Sequence, residues 1–225
     1  MDDPTPTRSE RVLVIGRSPN VILDTAEILR GRGFNVDATN QFDAVLTEYD
    51  TTKLDIVVFG GMVPPSTKQR LKEEISKAND QVAFVQGLAG IAGLIAAQVE
   101  GVTSTAGDDN SVAYDAAARS VRLVLREPTQ VLVDAWWATS FQPPEPTSTS
   151  MGVIDSLLDS GEHSIPLPTE VPSVASFITV SIGLSVHAFT VGPMPEAVTR
   201  MVPTGDPARP PVLPAVRAVA THSNG

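Results

Sequence analysis

A few stretches of this sequence carry groups that could bind or react. Glycine turns stand directly after two apolar runs: Gly16 with Arg17 follows Val12–Ile15, and Gly60-Gly61 follows Ile56–Phe59. Backbone N–H groups in such turns can cradle an anion, and glycine also simply permits a tight turn. Trp136 and Trp137 are adjacent, and neighbours on a strand face opposite ways. Trp137 therefore sides with Val131, Val133 and Ala135 toward a core, and Trp136 sides with Asp134 and Ser140. A ring on that polar face is either covered by another part of the protein or offered as a platform for a glycan or peptide. Asp155, Asp159, Glu162 and His163 are metal-ligating types, but they alternate with turn residues and read as a solvated edge. There is no cysteine, and the three histidines lie far apart, which excludes disulfides and thiolate metal sites. The expectation is no metal and no bound cofactor.

Composition sets the frame for these groups. With 225 residues, 42% of them hydrophobic, the chain can bury a proper core as one large domain or two small ones. Sixteen basic against twenty-six acidic residues give a net charge of -10, which disfavours nucleic acid and anionic membrane surfaces. The first residues show no basic and apolar signal pattern. The apolar stretch Leu88–Ala97 has half the length needed to cross a bilayer. These features predict a cytoplasmic protein without membrane insertion.

The elements that must position the glycine turns are legible from periodicity. After a polar lead-in over residues 1–10, apolar runs alternate with helical patterns four times through residue 101. Ser18-Pro19 is an N-cap with proline at the first helical position. Asn40 with Asp43 predicts a capped second helix reaching Tyr49, and Ser66 with Gln69 a capping box for the third. Gln81–Val85 reads as a fourth strand and Gly90–Val99 as a short Ala/Gly-rich helix. Such alternation implies a parallel sheet with helices on both faces. Only Phe34–Ala38 alternates in polarity, which places the second strand at an edge and predicts the order 2-1-3-4. The fourth strand then forms the other edge without charge or proline to protect it. It, or the helix beside it, is expected to be covered by a second domain or a partner. Val82, Phe84, Ile91, Leu94 and Trp136 are the residues expected at that contact.

Residues 10–100 resemble a bacterial response-regulator receiver domain. The resemblance rests on Val12-Leu-Val-Ile-Gly-Arg17 at strand one, Asp55-Ile-Val-Val-Phe-Gly-Gly-Met-Val-Pro64 at strand three, and Val82-Ala-Phe-Val-Gln86 at strand four. It implies a flavodoxin-like fold. It also implies a pseudo-receiver: Gly16 and Arg17 replace the acidic pair, Gly60 replaces the phospho-accepting aspartate, and Gln86 replaces the switch hydroxyl. Phosphoryl transfer to aspartate needs a carboxylate nucleophile and Mg²⁺ held by acidic oxygens, and these loops supply neither. A Rossmann-like nucleotide-binding reading uses the same Gly16 and Gly60-Gly61 turns, though Gly16-Arg-Ser-Pro-Asn20 lacks G-x-G-x-x-G. Tyr49 and Lys53 match the spacing of the short-chain dehydrogenase pair by letter, but they precede strand three.

Beyond a linker over residues 102–111 the period changes from 3.6 to 2. Seven short strands separated by turn signals between 112 and 192 indicate an antiparallel β-sandwich of immunoglobulin or fibronectin type III kind. Asp159–Pro168 is similar to segments of bacterial Ig-like accessory domains. Residues 193–225 hold seven prolines and read as an extended tail that wraps its own domain or a neighbouring subunit. Together these features favour a non-catalytic adaptor or assembly protein that works through a protein partner or homo-oligomer. The alternatives are a small-ligand binder at Gly16, Arg17, Gly60, Gly61 and Gln86, or a glycan- or peptide-binding module at Trp136.

Overall fold

The computed structural model describes residues 9–104, 110–140, 145, 147–194 and 215–223. The first half alternates: β1 (Arg11–Ile15), α1 (Pro19–Gly31), β2 (Asn35–Thr39), α2 (Val45–Glu48), β3 (Ile56–Phe59), α3 (Pro65–Ala78), β4 (Ala83–Gln86) and α4 (Ala92–Thr103). The four strands form a parallel sheet in the order β2-β1-β3-β4, flavodoxin-like in topology. Each run has a fully apolar face because helices cover both sides. Val14, Val58 and Val85 pack with α1 and α4 through Ile22, Ala26, Leu29, Ile95 and Val99. Leu13, Val57 and Phe59 pack with α3 through Leu71 and Ile75.

Capping expectations fared worse than strand order. α2 is only four residues long, and Asn40 does not cap it. The α3 capping box does not form either: the helix begins at Pro65 behind Pro64, with no side-chain cap. Ser18 does stand at the N-cap of α1 with Pro19 at its first position, as expected, but its side chain makes no cap bond, and its Oγ is buried without a partner among the described residues. For Asn40 the reason is tertiary: its side chain is taken by Arg217 O and Val219 N instead.

The second half comprises β5 (Ser111–Asp115), β6 (Ser120–Leu125), β7 (Thr129–Ser140), β8 (Thr147–Leu158), β9 (Gly161–Pro166), β10 (Ser176–Ile182) and β11 (Ser185–Val191). They form two antiparallel sheets, ordered β11-β10-β7-β8 and β5-β6-β9. Val131, Val133, Ala135, Ile178 and Val180 of the larger sheet meet Val121, Leu123 and Ile165 of the smaller, with Trp137 packed alongside. The fold is thus α/β followed by an antiparallel β-sandwich.

Helix α4 joins the halves. It lies against α1 on one side and against β10 and β11 on the other, so its almost unbroken apolar surface is buried from both directions. Its small residues set the distances of approach. Gly101 sits so close to the Val186 carbonyl that a Cβ would lie 3.0 Å from its oxygen. Ser104 Oγ donates to Leu184 O at 3.1 Å. No described helix is long and apolar enough to cross a membrane.

Residues 215–223 return to the parallel sheet. Ala220 bridges Thr39 in antiparallel sense, Asn40 N donates to Val219 O and Thr221 N to Ala38 O. Val219 is buried in the core beneath α1. The free side of β2 is therefore covered by the chain's own C-terminal segment.

Candidate functional site

Two places gather the residues singled out by sequence. At the carboxyl ends of β1 and β3, adjacency of the strands brings Gly16, Arg17, Gly60 and Gly61 to one crevice, joined by Ser18, Met62 and Gly90. The crevice measures only about 30 Å³, far below the roughly 300–1,000 Å³ of small-molecule pockets. Gly16 and Gly60 are explained by close packing. A Cβ on Gly16 would fall 2.5 Å from Ile22 Cγ2, and one on Gly60 would fall 3.2 Å from Gly16 Cα. The turn amides are also engaged: Gly60 N donates to Ile15 O at 2.8 Å and Gly16 N to Thr39 O at 3.1 Å. The α1 N-terminus, an ordinary anion seat, faces a carboxylate of the chain itself, with Asn20 N donating to Glu145 Oε1 at 3.5 Å.

Gln86 stands apart from that crevice. Its Nε2 donates to Phe59 O (3.0 Å) and Gly87 O (3.2 Å), while its Oε1 accepts from Lys68 Nζ (2.9 Å). Burial, followed by the nearby Lys72, lowers the Lys68 pKa. Gln86 thus closes the end of the β3–β4 pair.

The second place is the junction between the two halves. Ile91 and Leu94 meet Phe177 and Trp136 there, with Ala89 and Ala175 at the margin. The Trp136 ring lies on Gly93, where a Cβ would be 2.1 Å from Cη2, and Nε1 donates to Thr179 Oγ1 at 2.9 Å. Val82 and Phe84 are not part of this junction. They face α3, where Phe84 stacks with Phe59 at 6.1 Å and Lys72 Nζ lies over both rings. Strand alternation turns them to the sheet face opposite α4, against which Val85 packs instead.

A polar rim flanks the junction. Arg32 forms an ion pair with Glu100. Burial raises the Asp134 carboxyl above its ordinary value, opposed by Arg32 and aided by Asp155. Beside Trp136 an open groove of about 420 Å³ is lined by α1, the start of α4 and β8. Sequence reasoning placed Trp136 on the correct face but did not foresee this groove, since its α1 wall is more than a hundred positions away.

The remaining candidates do not converge. Tyr49 stacks on His222 at 5.0 Å and donates to Thr221 O, whereas Lys53 pairs with Asp50. His163 Nε2 bonds Asp159 O at 2.7 Å, and the described residues contain no group of three or more His, Cys, Asp or Glu able to hold a metal.

No protein-family model and no curated protein matches this sequence. Among solved structures, the chain is similar to a glutamine amidotransferase from Thermotoga maritima, at 16% identity over 79% of this chain and 73% of that one, with a TM-score of 0.27. A β-glucosidase from Listeria innocua in complex with isofagomine matches at 10% identity over 85% of this chain and 47% of that one, also with a TM-score of 0.27. At these scores neither likeness bears on activity, and the chain is described by its own architecture: a parallel four-stranded sheet joined through α4 to a pair of antiparallel sheets.

Proposed function

We propose that this chain is a non-catalytic adaptor, a pseudo-receiver fused to an Ig-like sandwich, that accepts a protein partner at the β4 edge. The supporting observation is the contrast between the two edges of the parallel sheet. The β2 edge is covered by residues 215–223, while β4 has no strand beside it among the described residues.

The outward groups on β4 follow from its pairing. Ala83 N donates to Asp55 O just before β3, and Gly87 N to Phe59 O at its end, so the main-chain groups of the alternate residues, Phe84 and Gln86, point away. One end of this edge is already engaged. Gln98 Nε2 donates to Gln86 O at 3.0 Å and its Oε1 accepts from Leu88 N at 3.1 Å, the bonds that a residue on an added strand would make. The rest is short and open, which suits β-augmentation by an extended segment while limiting indiscriminate pairing. The closed 30 Å³ crevice and its lack of carboxylates favour this reading over phosphoryl transfer or nucleotide binding there.

A photo-crosslinking residue at Leu88, which is 39% exposed at the end of this edge, tests the proposal in the native host. A discrete protein adduct is expected from position 88 and none from Glu73 on the exposed face of α3. The absence of an adduct from 88, together with a thermal shift from a nucleotide or from acetyl phosphate with Mg²⁺, would refute it. Ligand at a hundred times Kd adds about 2.7 kcal/mol, an easily visible shift.

A further inference from the structure

We infer that the groove beside Trp136 is a binding site for a small organic cation, an alkylammonium or guanidinium group carried on an apolar body. Nothing in the adaptor reading requires it, and the two stand or fall separately.

The groove has the dimensions and location of a ligand site. Its volume of about 420 Å³ falls in the range of roughly 300–1,000 Å³ typical of small-molecule pockets, which favour junctions between domains. Its walls are chemically distinct. Ile28 and Ile91 supply apolar surface, Trp136 supplies an aromatic ring, and Asp24 and Glu27 supply carboxylates from one face of α1. Ser150, the β8 partner of Trp136, adds a hydroxyl.

The indole is preorganised. Its Nε1 is committed to Thr179 Oγ1, and its six-membered ring rests on Gly93, so it need not reorient to receive a ligand. A preset ring costs less ordering on binding than a mobile one.

Charge selects the ligand class. Among the described residues, no Lys, Arg or His lines the groove. Asp24 and Glu27 form no ion pair or hydrogen bond among the described residues, in contrast to Asp43, Asp50, Glu74 and Glu100, which pair with basic side chains. Two unneutralised carboxylates lining the same groove as an aromatic ring attract a cation through Coulombic and cation–π terms together. An anion is repelled by the same pair. A neutral sugar would use the ring and the hydroxyl but gain nothing from the carboxylate charge.

Choline, agmatine and the neutral choline isostere 3,3-dimethylbutanol, with a methyl glycoside, serve as probes. They are titrated into the full chain while the two indole N–H resonances are followed by NMR. Choline or agmatine should move the Trp136 resonance saturably, and the isostere and glycoside should leave it unmoved. Asp24→Asn with Glu27→Gln, both on the exposed side of α1, should weaken cation binding at least tenfold with an unchanged melting temperature. No saturable shift from either cation at millimolar concentration, or equal binding of the neutral isostere or the glycoside, overturns the inference. The isostere comparison decides the matter even if the double variant folds poorly.

Discussion

The Trp136 indole occupies the space that any side chain at position 93 would need, with Cη2 only 2.1 Å from the position of a Cβ on Gly93. One glycine in α4 thus lets the β-sandwich approach the α/β half closely enough to bury Ile91, Leu94 and Phe177 together. Gly93→Ala should destabilise the protein by about 1–3 kcal/mol through overpacking, despite the roughly 1 kcal/mol by which alanine is favoured over glycine inside a helix. Urea unfolding measures the loss, and a red shift of tryptophan emission would report displacement of the ring. Unchanged stability would mean that the halves separate at little cost.

Thr179 supplies the acceptor for the same ring. Thr179→Val keeps the shape but leaves the indole N–H without its partner. A cost of about 1–3 kcal/mol is expected, measurable as a lowered denaturation midpoint with unchanged m-value.

The crevice between β1 and β3 makes a testable case for packing over ligand binding. Gly16→Ala places a methyl 2.5 Å from Ile22 Cγ2 and should destabilise strongly. Ile22→Ala in the same chain should relieve part of that clash, so the double variant should lose less than the sum of the single losses. Strict additivity would show that Ile22 is not what requires glycine.

The Asp134 carboxyl gives a pH signature. Burial holds its pKa above the ordinary 3.8, against the pull of Arg32 and with a smaller push from Asp155. The folded state therefore binds this proton more tightly than the unfolded chain. Its contribution to stability is full below the ordinary value and falls as the pH rises toward the raised one. Asp134→Asn should accordingly melt higher than the parent at neutral pH. The difference should close as the pH drops through the ordinary aspartate range, as followed by thermal melts across pH.

Residues 215–223 act as a seal on β2. Removing them strips Val219 from the core, a burial worth about 1.5–3 kcal/mol, and leaves Ala38 and Asn40 main-chain groups open to exchange. Lowered stability and lost protection of the Ala38 and Asn40 amides are expected. A synthetic peptide of residues 215–223 added to the shortened chain should restore the protection. If those amides stay protected without the segment, the seal has no energetic role.

Much of the architecture can be read from local pattern. Four strand–helix alternations, the change to a two-residue period near residue 111, and the polar alternation of Phe34–Ala38 determine a 2-1-3-4 parallel sheet followed by antiparallel sheets. The reason is that strand and helix periods reflect burial of one face or two. The meeting of Gly16 with Gly60 follows from the same order, because β1 and β3 are neighbours. The opposite orientations of Trp136 and Trp137 follow from alternation alone.

Tertiary structure decided what fills or covers those surfaces. Asn40 reads locally as a helix cap, yet its Oδ1 accepts from Val219 N and its Nδ2 donates to Arg217 O, partners nearly the whole chain away. The sealing segment carries no period of its own, since it pairs along a single strand edge through a few residues. Ile22 lining the crevice, and Asp24 and Glu27 lining one groove with Trp136, depend on how α1 is set beside α4 and the sandwich. Such contacts join residues far apart in the chain, and no local propensity or spacing encodes them. The sequence alone determines the layers and their order; only the packed chain determines which crevice is shut and which groove stays open.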